Sequence, residues 1–410
     1  MTLRVRAVQI CLCAASMAAA CAAKSDPHAI VPDAWIDETV EQARADFKSP
    51  SIVIAVLRRG RPALLKGYGV TDRVSGQPAT PETLYQIASV TKTFVGLLAA
   101  KLAARGKVDL DAPVTDYAPD LCFQGVKGTA RITLRHLLTH RSGLPSNPAN
   151  RKNIPVPGLP DGFDPTIAEP YTLEQLHDGL AQTPPLFAPG ERYYYSNLGM
   201  HLAGYILARA VGQRTFADAL HAHILGPLHM ADSFVRTSPA RDAGMATPYA
   251  YGDDEYYKVF PLGSRTYYRI PPWTFGEVTG GLGLSSNVKD LARYVAALLE
   301  AGRPGAALSQ DVIDLLLTRH AAFVAKGEFI YEMGLGWRIG AFGPFGTVYT
   351  HGGHNDGHHA YVVFSRDHGL AVIALTNGAH AANRALATKI MLKLMRQASK
   401  EQGNVHASKR

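Results

Sequence analysis

Residues 87–94 read Ile87-Ala88-Ser89-Val90-Thr91-Lys92-Thr93-Phe94 and place a serine and a lysine three positions apart. Residues 94–104 carry apolar side chains at helical spacing, and Arg105-Gly106 is typical of a helix end. Residues three apart share a helix face and helical side chains lean toward the N-terminus, so Lys92 is predicted to reach back over Ser89. The pattern indicates a nucleophile beside a base, with helix-start N–H groups available to bind an oxyanion.

The spacing by itself does not identify a site. A second pair, Ser286 and Lys289, has the same spacing and also precedes a helix-like run. Taken alone, either pair is explained by a helix cap and a surface lysine. The context of each pair must therefore distinguish them.

Four further stretches supply that context for Ser89. They are residues 132–145, residues 189–197 with the Tyr-x-Asn element Tyr195-Ser196-Asn197, the glycine-rich residues 280–287, and residues 351–357 with the His-x-Gly element His351-Gly352-Gly353. With these motifs in this order, the sequence resembles the serine hydrolases of the penicillin-binding and class C β-lactamase type, which include D-peptidases and related esterases. The resemblance covers about residues 35–395, includes the Ser-x-x-Lys motif, and places Ser286 and Lys289 at a structural helix.

Length and composition predict a globular protein with a large core. The chain has 410 residues, of which 47% are hydrophobic. Strand patterns cluster at both ends of the chain, and helical patterns interrupted by Pro and Gly lie between them. The predicted strands are residues 51–57, 62–70, 347–350, 360–364 and 370–375, and the predicted helices include residues 33–47, 200–211 and 382–397.

The order of these elements predicts an α/β (α+β) fold with one sheet assembled from both chain ends. The resemblance implies an antiparallel sheet flanked by helices, an inserted all-helical subdomain, and a site at their junction. We expect residues 30–115 and 265–398 to form the α/β subdomain and residues 116–264 the mainly helical one.

The N-terminus predicts export. Arg4 and Arg6 precede an apolar run followed by small residues, so residues 1–21 are read as a signal segment and the protein is placed in the bacterial periplasm or cell envelope. Cys21 leaves open lipid attachment after cleavage, which would anchor the chain to a membrane. Cys122 is expected to be a buried apolar residue.

The distribution of charge bears on one class of partner. The formal net charge is +8, but lysines and arginines are scattered, so nucleic-acid binding is unsupported. The expected partner is a small-molecule or peptide substrate, including one derived from peptidoglycan. Membrane contact is expected only if Cys21 is lipidated, and no cofactor is expected.

Reaction roles follow from the chemistry and from the resemblance. Ser89 is expected to form an acyl-enzyme, and Lys92 to take part in its activation once burial lowers its pKa. The resemblance implies that Tyr195 relays protons to Ser89 or to the leaving group, and that Asn197 binds Lys92 or the acyl side of the substrate. The alternative is that Tyr195 is only a member of an aromatic cluster with Tyr193 and Tyr194. Tyr193 and Tyr194 themselves are read as packing residues.

The third motif departs from the β-lactamase pattern. Those enzymes usually carry Lys-Thr-Gly, which is absent from this chain, and His351 is not a permanent cation. This favours a D-peptidase, amidase or esterase, with a class C-like β-lactamase as the alternative. Gly353 would let the substrate backbone approach closely, and the N–H groups of His354 and Ser89 are the expected oxyanion hole.

Two other readings of the histidines are weighed. His351, His354, His358 and His359 invite a metal site, but on one strand 351 and 359 would share a face and 354 and 358 the other, so no metal is expected. His140, with Ser142, is read as turn structure, because the chain contains no G-x-S-x-G elbow.

Together these features predict an exported serine hydrolase for small amides, D-amino-acid peptides or esters. The alternative from another class is a non-catalytic peptidoglycan- or penicillin-binding protein that kept the fold. Residues 249–275 carry nine aromatic side chains and are read either as a substrate groove or as a loop with its own small core.

Overall fold

Strands from both ends of the chain form one sheet in this computed structural model. The structure describes residues 31–124, 132–151, 153–155, 166–168, 171–235, 244–251, 267–324, 330–378 and 380–407. The predicted signal segment, residue 21 and most of the aromatic segment (252–266) lie outside these described residues.

The strands are numbered in chain order: β1 Ser51–Arg58, β2 Arg61–Gly69, β3 Tyr85–Gln86, β4 Asn153–Pro155, β5 Thr166–Ala168, β6 Tyr249–Tyr251, β7 Tyr267–Arg269, β8 Ser285–Ser286, β9 Ala321–Val324, β10 Ile330–Met333, β11 Arg338–Ala341, β12 Thr347–Asn355, β13 His358–Ser365 and β14 Leu370–Thr376. Within the described residues the main sheet has eight antiparallel strands in the order β2-β1-β14-β13-β12-β11-β10-β9. Three short two-stranded ladders, β3-β8, β4-β5 and β6-β7, accompany it.

The α-helices of the described residues are α1 Asp33–Asp46, α2 Thr91–Ala104, α3 Leu134–Leu138, α4 Leu173–Gln182, α5 Asn197–Ala210, α6 Phe216–Leu220, α7 Val288–Glu300, α8 Gln310–Leu317 and α9 His380–Ala407. A turn of 3₁₀ helix, Ala88–Val90, precedes α2. In the part of the chain that the structure describes, none of the helices combines the length and the apolar character needed to cross a membrane.

Strand β1 is buried on both faces, which explains its nearly continuous apolar sequence. Val53, Ala55 and Leu57 belong to the larger core cluster, which also contains residues of α2, α5 and α7. The alternate residues Ile52, Ile54 and Val56 belong to a second cluster with residues of α1 and α9. The sheet is therefore a middle layer with helices on both faces.

Helix α2 is the central helix of the larger core. Residues from Thr91 to Leu102 along it are all buried, so apolar side chains surround it rather than lining one face. Because Lys92 lies on this helix, its amine is held inside the molecule.

The predicted fold class is confirmed, while some details differ. The segment predicted as the helical subdomain, residues 116–264, carries the β4-β5 ladder as well as helices, so it is not purely helical. Helix α9 continues to Ala407 instead of ending near Gln397. Cys122 is exposed, which contradicts its predicted burial, because it lies in an irregular stretch outside the core. The subdomain boundaries stay a prediction.

Candidate active site

Ser89 lies on a tightly held turn directly before α2. Ala88 has a φ of 45°, a left-handed conformation that costs a residue with a Cβ about 1–3 kcal/mol. Thr91 stabilises the turn, since its Oγ1 donates to the Ala88 carbonyl oxygen at 2.6 Å and accepts from the Leu284 N–H at 3.1 Å. Ser89 is partly exposed, so a substrate can reach its hydroxyl.

The Lys92 amine lies among three oxygens. Its Nζ is 2.8 Å from Ser89 Oγ, 2.8 Å from Asn197 Oδ1 and 2.7 Å from the Gly281 carbonyl oxygen. A neutral amine has two hydrogens and one lone pair. The Asn197 and Gly281 oxygens only accept, so they take both hydrogens and leave the lone pair for the Ser89 hydroxyl. This arrangement suits an amine that removes the serine proton.

The surroundings favour the neutral amine. Burial lowers the pKa of Lys92 well below its usual value, and the positive charges of Arg338 and Arg151 lower it further. The lysine side chain is fully buried, at 0% exposure. An uncharged lysine can act as a base, whereas an exposed one would stay protonated at neutral pH.

Tyr195 meets the same hydroxyl. Its phenol hydrogen-bonds Ser89, and Lys92 Nζ lies 4.9 Å from the centroid of its ring. Burial raises the pKa of Tyr195 to about 12, although the hydrogen bond with Ser89 and the charge on Arg338 oppose the rise. The phenol is therefore a proton donor across the neutral pH range. The predicted alternative of a merely aromatic cluster does not explain this placement.

Two motif stretches hold Tyr195 and Asn197 in position. Ser196 caps α5 by accepting the Gly199 N–H at 2.8 Å, which makes Asn197 the first residue of the helix. The Ser196 N–H donates to His140 Nδ1 at 3.1 Å, and the Tyr194 N–H donates to the His140 carbonyl oxygen at 2.8 Å. The stretch containing His140 thus fixes the backbone on both sides of Tyr195.

Strand β12 brings the third motif to the serine turn. His351 and Gly353 are buried on this strand. A Cβ added to Gly353 would lie 1.9 Å from the Ile87 carbonyl oxygen and 3.1 Å from the Ser89 nitrogen. This contact places the backbone of residues 353 and 354 beside Ser89, where an oxyanion hole is expected. Their roles, like those of Ser89, Lys92, Tyr195 and Asn197, stay predictions.

His351 is held as a neutral imidazole. Its Nδ1 donates to the Gly352 carbonyl oxygen at 2.8 Å, which leaves a lone pair on Nε2. Burial lowers its pKa well below the usual value, and the positive charge of Arg338 adds to this effect. The Nε2 atom is buried and has no hydrogen-bond partner within the described residues.

The predicted faces of the other histidines are wrong, because the chain reverses at Gly357, whose φ is 85°. His354 and His359 face each other across β12 and β13, with their Nδ1 atoms 2.5 Å apart. His358 instead contacts the Ala246 carbonyl oxygen. In the described parts of the chain, no three His, Cys, Asp or Glu side chains are grouped so that they could hold a metal ion.

The second Ser-x-x-Lys pair does not form a site. Ser286 Oγ lies 2.8 Å from Ser233 Oγ inside the core, while Lys289 forms an ion pair with Glu82 at 3.0 Å. Asn287 caps α7 by accepting the Asp290 N–H. The structural reading of this pair is consistent with that geometry.

Three residues around the site were given no role in it on the basis of sequence. His140 packs its ring 4.4 Å from that of Tyr195. His201 accepts the Gly281 N–H at 3.2 Å and so holds the carbonyl that binds Lys92. Arg338 lies 5.9 Å from the Tyr195 ring centroid. His140 lies in a quoted motif stretch and could have been found there, whereas nothing in the sequence signals Arg338 or His201.

Similarity to known proteins extends over most of the chain. A family model described as Beta-lactamase matches residues 36–395. Esterase EstB from Burkholderia gladioli is 30% identical over 397 residues, covering 88% of this chain and 95% of the esterase. A β-lactamase of Escherichia coli strain K12 is 26% identical over 328 residues, covering 80% of this chain and 75% of that enzyme.

The fold has a counterpart among solved structures. The octameric penicillin-binding protein homologue from Pyrococcus abyssi matches with a TM-score of 0.72 and 24% identity, covering 89% of this chain and 78% of the homologue. The similarity in sequence therefore coincides with similarity in architecture. This chain belongs to the β-lactamase family of serine hydrolases.

Proposed function

We propose that this protein is an exported hydrolase that cleaves small esters and amides, including peptides of the D-amino-acid type, through an acyl-enzyme on Ser89. The observation that carries the proposal is the hydrogen bonding of Lys92. Its amine faces the Ser89 hydroxyl at 2.8 Å while two acceptors occupy its hydrogens. A serine hydroxyl becomes nucleophilic when a base takes its proton.

The first half-reaction uses the residues around the serine turn. Ser89 Oγ attacks the carbonyl carbon as its proton passes to Lys92. The N–H groups of Ser89 and His354 stabilise the negative oxygen that forms, which in other enzymes is worth about 10²–10³-fold in kcat for one donor. The neutral phenol of Tyr195 protonates the leaving alcohol or amine as the bond breaks, and Lys92 passes the proton it took from Ser89 on to Tyr195. Water then attacks the acyl carbon, one of its protons returns to Ser89 Oγ, and the free acid leaves.

The third motif favours esters and amides over β-lactams. A Lys-Thr-Gly motif would supply a permanent cation, while His351 is neutral and buried. The 30% identity to an esterase over nearly its whole length supports the same preference. A class C-like β-lactamase is the second candidate, because a relative named β-lactamase matches 80% of this chain.

Labelling of the intact protein tests the nucleophile. One molecule of a fluorophosphonate probe is expected to bind covalently to each protein molecule. Peptide mapping should locate the probe on Ser89, and Ser89→Ala should abolish the labelling. Ser286→Ala is the matched control, since it removes the serine of the second pair. If the probe did not label Ser89, the proposal would be overturned.

A substrate panel then tests the activity. We expect p-nitrophenyl esters and acyl-D-Ala-D-Ala peptides to be hydrolysed faster than nitrocefin. Preference for nitrocefin would assign the β-lactamase function instead. Labelling of Ser89 without turnover of any substrate would assign the non-catalytic binding protein, with peptidoglycan fragments as its expected partner.

Export to the periplasm or cell envelope is a separate part of the proposal. It rests on Arg4 and Arg6 followed by the apolar run of residues 7–20. Expression in a bacterium and fractionation should recover a protein shortened near residue 21 outside the cytoplasm. Retention of residue 1 in the cytoplasm would contradict it. Cys21→Ser tests lipid attachment: if Cys21 carries a lipid, the native protein should be in the membrane fraction, and the variant, which cannot be lipidated there, should be absent from it.

A further inference from the structure

A chain of contacts leads from the Lys92 amine to a second cation, Arg151. The Gly281 carbonyl oxygen accepts from Lys92 Nζ at 2.7 Å, and the Gly281 N–H donates to His201 Nδ1 at 3.2 Å. The other ring nitrogen of His201, Nε2, lies 3.3 Å from Arg151 Nη1. His201 is buried, so these contacts lie inside the molecule. The contacts of the catalytic amine thus extend to a guanidinium that the proposed reaction does not use.

The imidazole of His201 faces more hydrogen-bond donors than it can accept from. A neutral imidazole has one N–H and one lone pair. The Gly281 N–H takes the lone pair on Nδ1, so Nε2 carries the hydrogen and faces Arg151, which is itself only a donor. A protonated ring would add to the mismatch, and burial and the charge on Arg151 lower the pKa of His201 well below its usual value. Two N–H groups therefore meet without an acceptor between them.

The charge on Arg151 also has no carboxylate to balance it. The ion pairs of the described residues all join other side chains. The guanidinium lies over the ring of Tyr171, with its carbon 5.6 Å from the ring centroid, and burial lowers its pKa. A half-buried cation without a counterion carries a desolvation cost that an anionic ligand would offset.

We propose that Arg151 and the Nε2–H of His201 bind an anionic group at the acyl end of the substrate. This inference rests on the proposed function and names the substrate class of that same site. One carboxylate oxygen can accept from both donors, and the other oxygen can accept a further N–H of the guanidinium. The bound anion supplies the missing acceptor and the missing negative charge together.

Helix α5 determines which end of the substrate carries the anion. Asn197, which is expected on the acyl side, begins the helix, and His201 follows four residues later on the same face. One helical turn advances about 5.4 Å, so the anion lies further along the acyl chain than the group that meets Asn197. Tyr195 precedes the helix and serves the leaving group. The substrate is therefore an ester or amide whose acyl chain ends in an acid group.

Two pairs of aryl esters with one common leaving group test this. Mono-4-nitrophenyl adipate and mono-4-nitrophenyl suberate end in a carboxylate, and their neutral partners end in a carboxamide at the same chain length. Charge-assisted hydrogen bonds support a preference of about 10–100-fold in kcat/KM for the carboxylate. We expect that preference for at least one chain length in the native protein, its loss in Arg151→Gln, and partial retention in Arg151→Lys, which keeps the charge without the planar fork. No preference at either length would overturn the inference.

A control variant separates anion binding from a structural role. Arg209→Gln removes an equally charged arginine from the end of α5, where it is paired with Asp120 at 3.4 Å, and should keep the preference. If Arg151→Gln slows the carboxylate and the carboxamide equally, Arg151 is structural and the inference is overturned.

Binding to Ser89→Ala gives a readout that needs neither turnover nor a change at position 151. The ligands are the monomethyl esters of adipate and suberate and the matching carboxamides, which stay intact once the nucleophile is removed. Calorimetry should show tighter binding of the carboxylate, by about 10-fold or more, for the chain length that is preferred in turnover. Equal binding of carboxylates and carboxamides would overturn the inference.

The outcomes distinguish this inference from the proposed function. Labelling of Ser89 with equal turnover of carboxylates and carboxamides would overturn the role of Arg151 and leave the hydrolase in place. Absence of labelling and of turnover would overturn the proposed function, whereas tighter binding of the carboxylate to Ser89→Ala would still support the anion site.

Discussion

The imidazole of His140 lies 4.4 Å from the phenol ring of Tyr195, centroid to centroid, with 34° between the ring planes. Its Nδ1 accepts the Ser196 N–H, so its hydrogen is on Nε2, a buried atom without a hydrogen-bond partner in the described part of the chain. His140 therefore contacts Tyr195 through its ring and fixes the backbone that follows it. A residue read from sequence as turn structure therefore holds Tyr195, the proposed proton donor, in position.

Substitution of His140 should reduce turnover more than binding. His140→Phe keeps a ring against Tyr195 but removes the acceptor for the Ser196 N–H. A small displacement of a catalytic group can cost about 10²-fold, so we expect a loss of that order in kcat with KM changed little. Steady-state kinetics on p-nitrophenyl acetate measures both. His177→Phe is the control, since His177 contacts Tyr205 edge to face. An unchanged kcat for His140→Phe would contradict the positioning role.

Removal of the Tyr195 hydroxyl should matter most for poor leaving groups. The pKa of Tyr195 is about 12, so the phenol is protonated and available as a donor. Tyr195→Phe is expected to lower kcat/KM about 10²–10⁴-fold for amides and alkyl esters. The loss should be smaller for p-nitrophenyl esters, whose leaving group needs no proton. Tyr194→Phe is the matched control, since that ring is 44% exposed. Equal losses across leaving groups would argue against proton donation.

The buried lysine should leave a signature in the pH dependence of stability. The folded-state pKa of Lys92 is lowered well below its usual 10.5, chiefly by burial. Between the folded-state pKa and 10.5, the unfolded chain binds more protons than the folded one, so this lysine makes the unfolding free energy rise with pH. Lys92→Met removes that rise. The unfolding free energy of the wild type should therefore rise relative to that of the variant as pH increases from 7 toward 10.

Denaturant unfolding at several pH values measures this difference. Lys289→Met is the control, because Lys289 is paired with Glu82 at the surface. If the unfolding free energies of the wild type and Lys92→Met differed by the same amount at every pH, the pKa of Lys92 would not be lowered by folding. The same variant should lose acylation of Ser89 by about 10²–10⁴-fold, the usual contribution of a general base.

Local spacing made the Ser89–Lys92 pair predictable, because an i, i+3 pair is close wherever the chain is helical. Tyr195 and Asn197 could be placed only through the motif pattern, since more than 100 residues separate Lys92 from Asn197. Strand β12 continues to Asn355 because it pairs with β13, although glycine and histidine there give little strand signal. Arg338 and His201 reach the site through tertiary packing, which no local pattern encodes.

The approach of Gly353 to the serine turn leads to the last prediction. A Cβ at this position would lie 1.9 Å from the Ile87 carbonyl oxygen, so either β12 or the turn that carries Ser89 must move. Overpacking of this kind costs about 1–3 kcal/mol of stability. Because the displaced atoms include the expected oxyanion donors, Gly353→Ala should lower kcat/KM by about 10²-fold or more.

A neighbouring glycine provides the comparison for that variant. Gly340 lies on β11, next to β12, and a Cβ there would meet nothing within 4 Å. Gly340→Ala should therefore keep both the melting temperature and the rate of acylation by the fluorophosphonate probe, while Gly353→Ala lowers both. If the two variants behaved alike, the close contact between β12 and the Ser89 turn would not control the site. If Gly353→Ala greatly slowed acylation while its melting temperature fell only slightly, the damage would lie at the oxyanion donors. Overpacking elsewhere in the sheet would lower the melting temperature without moving those donors.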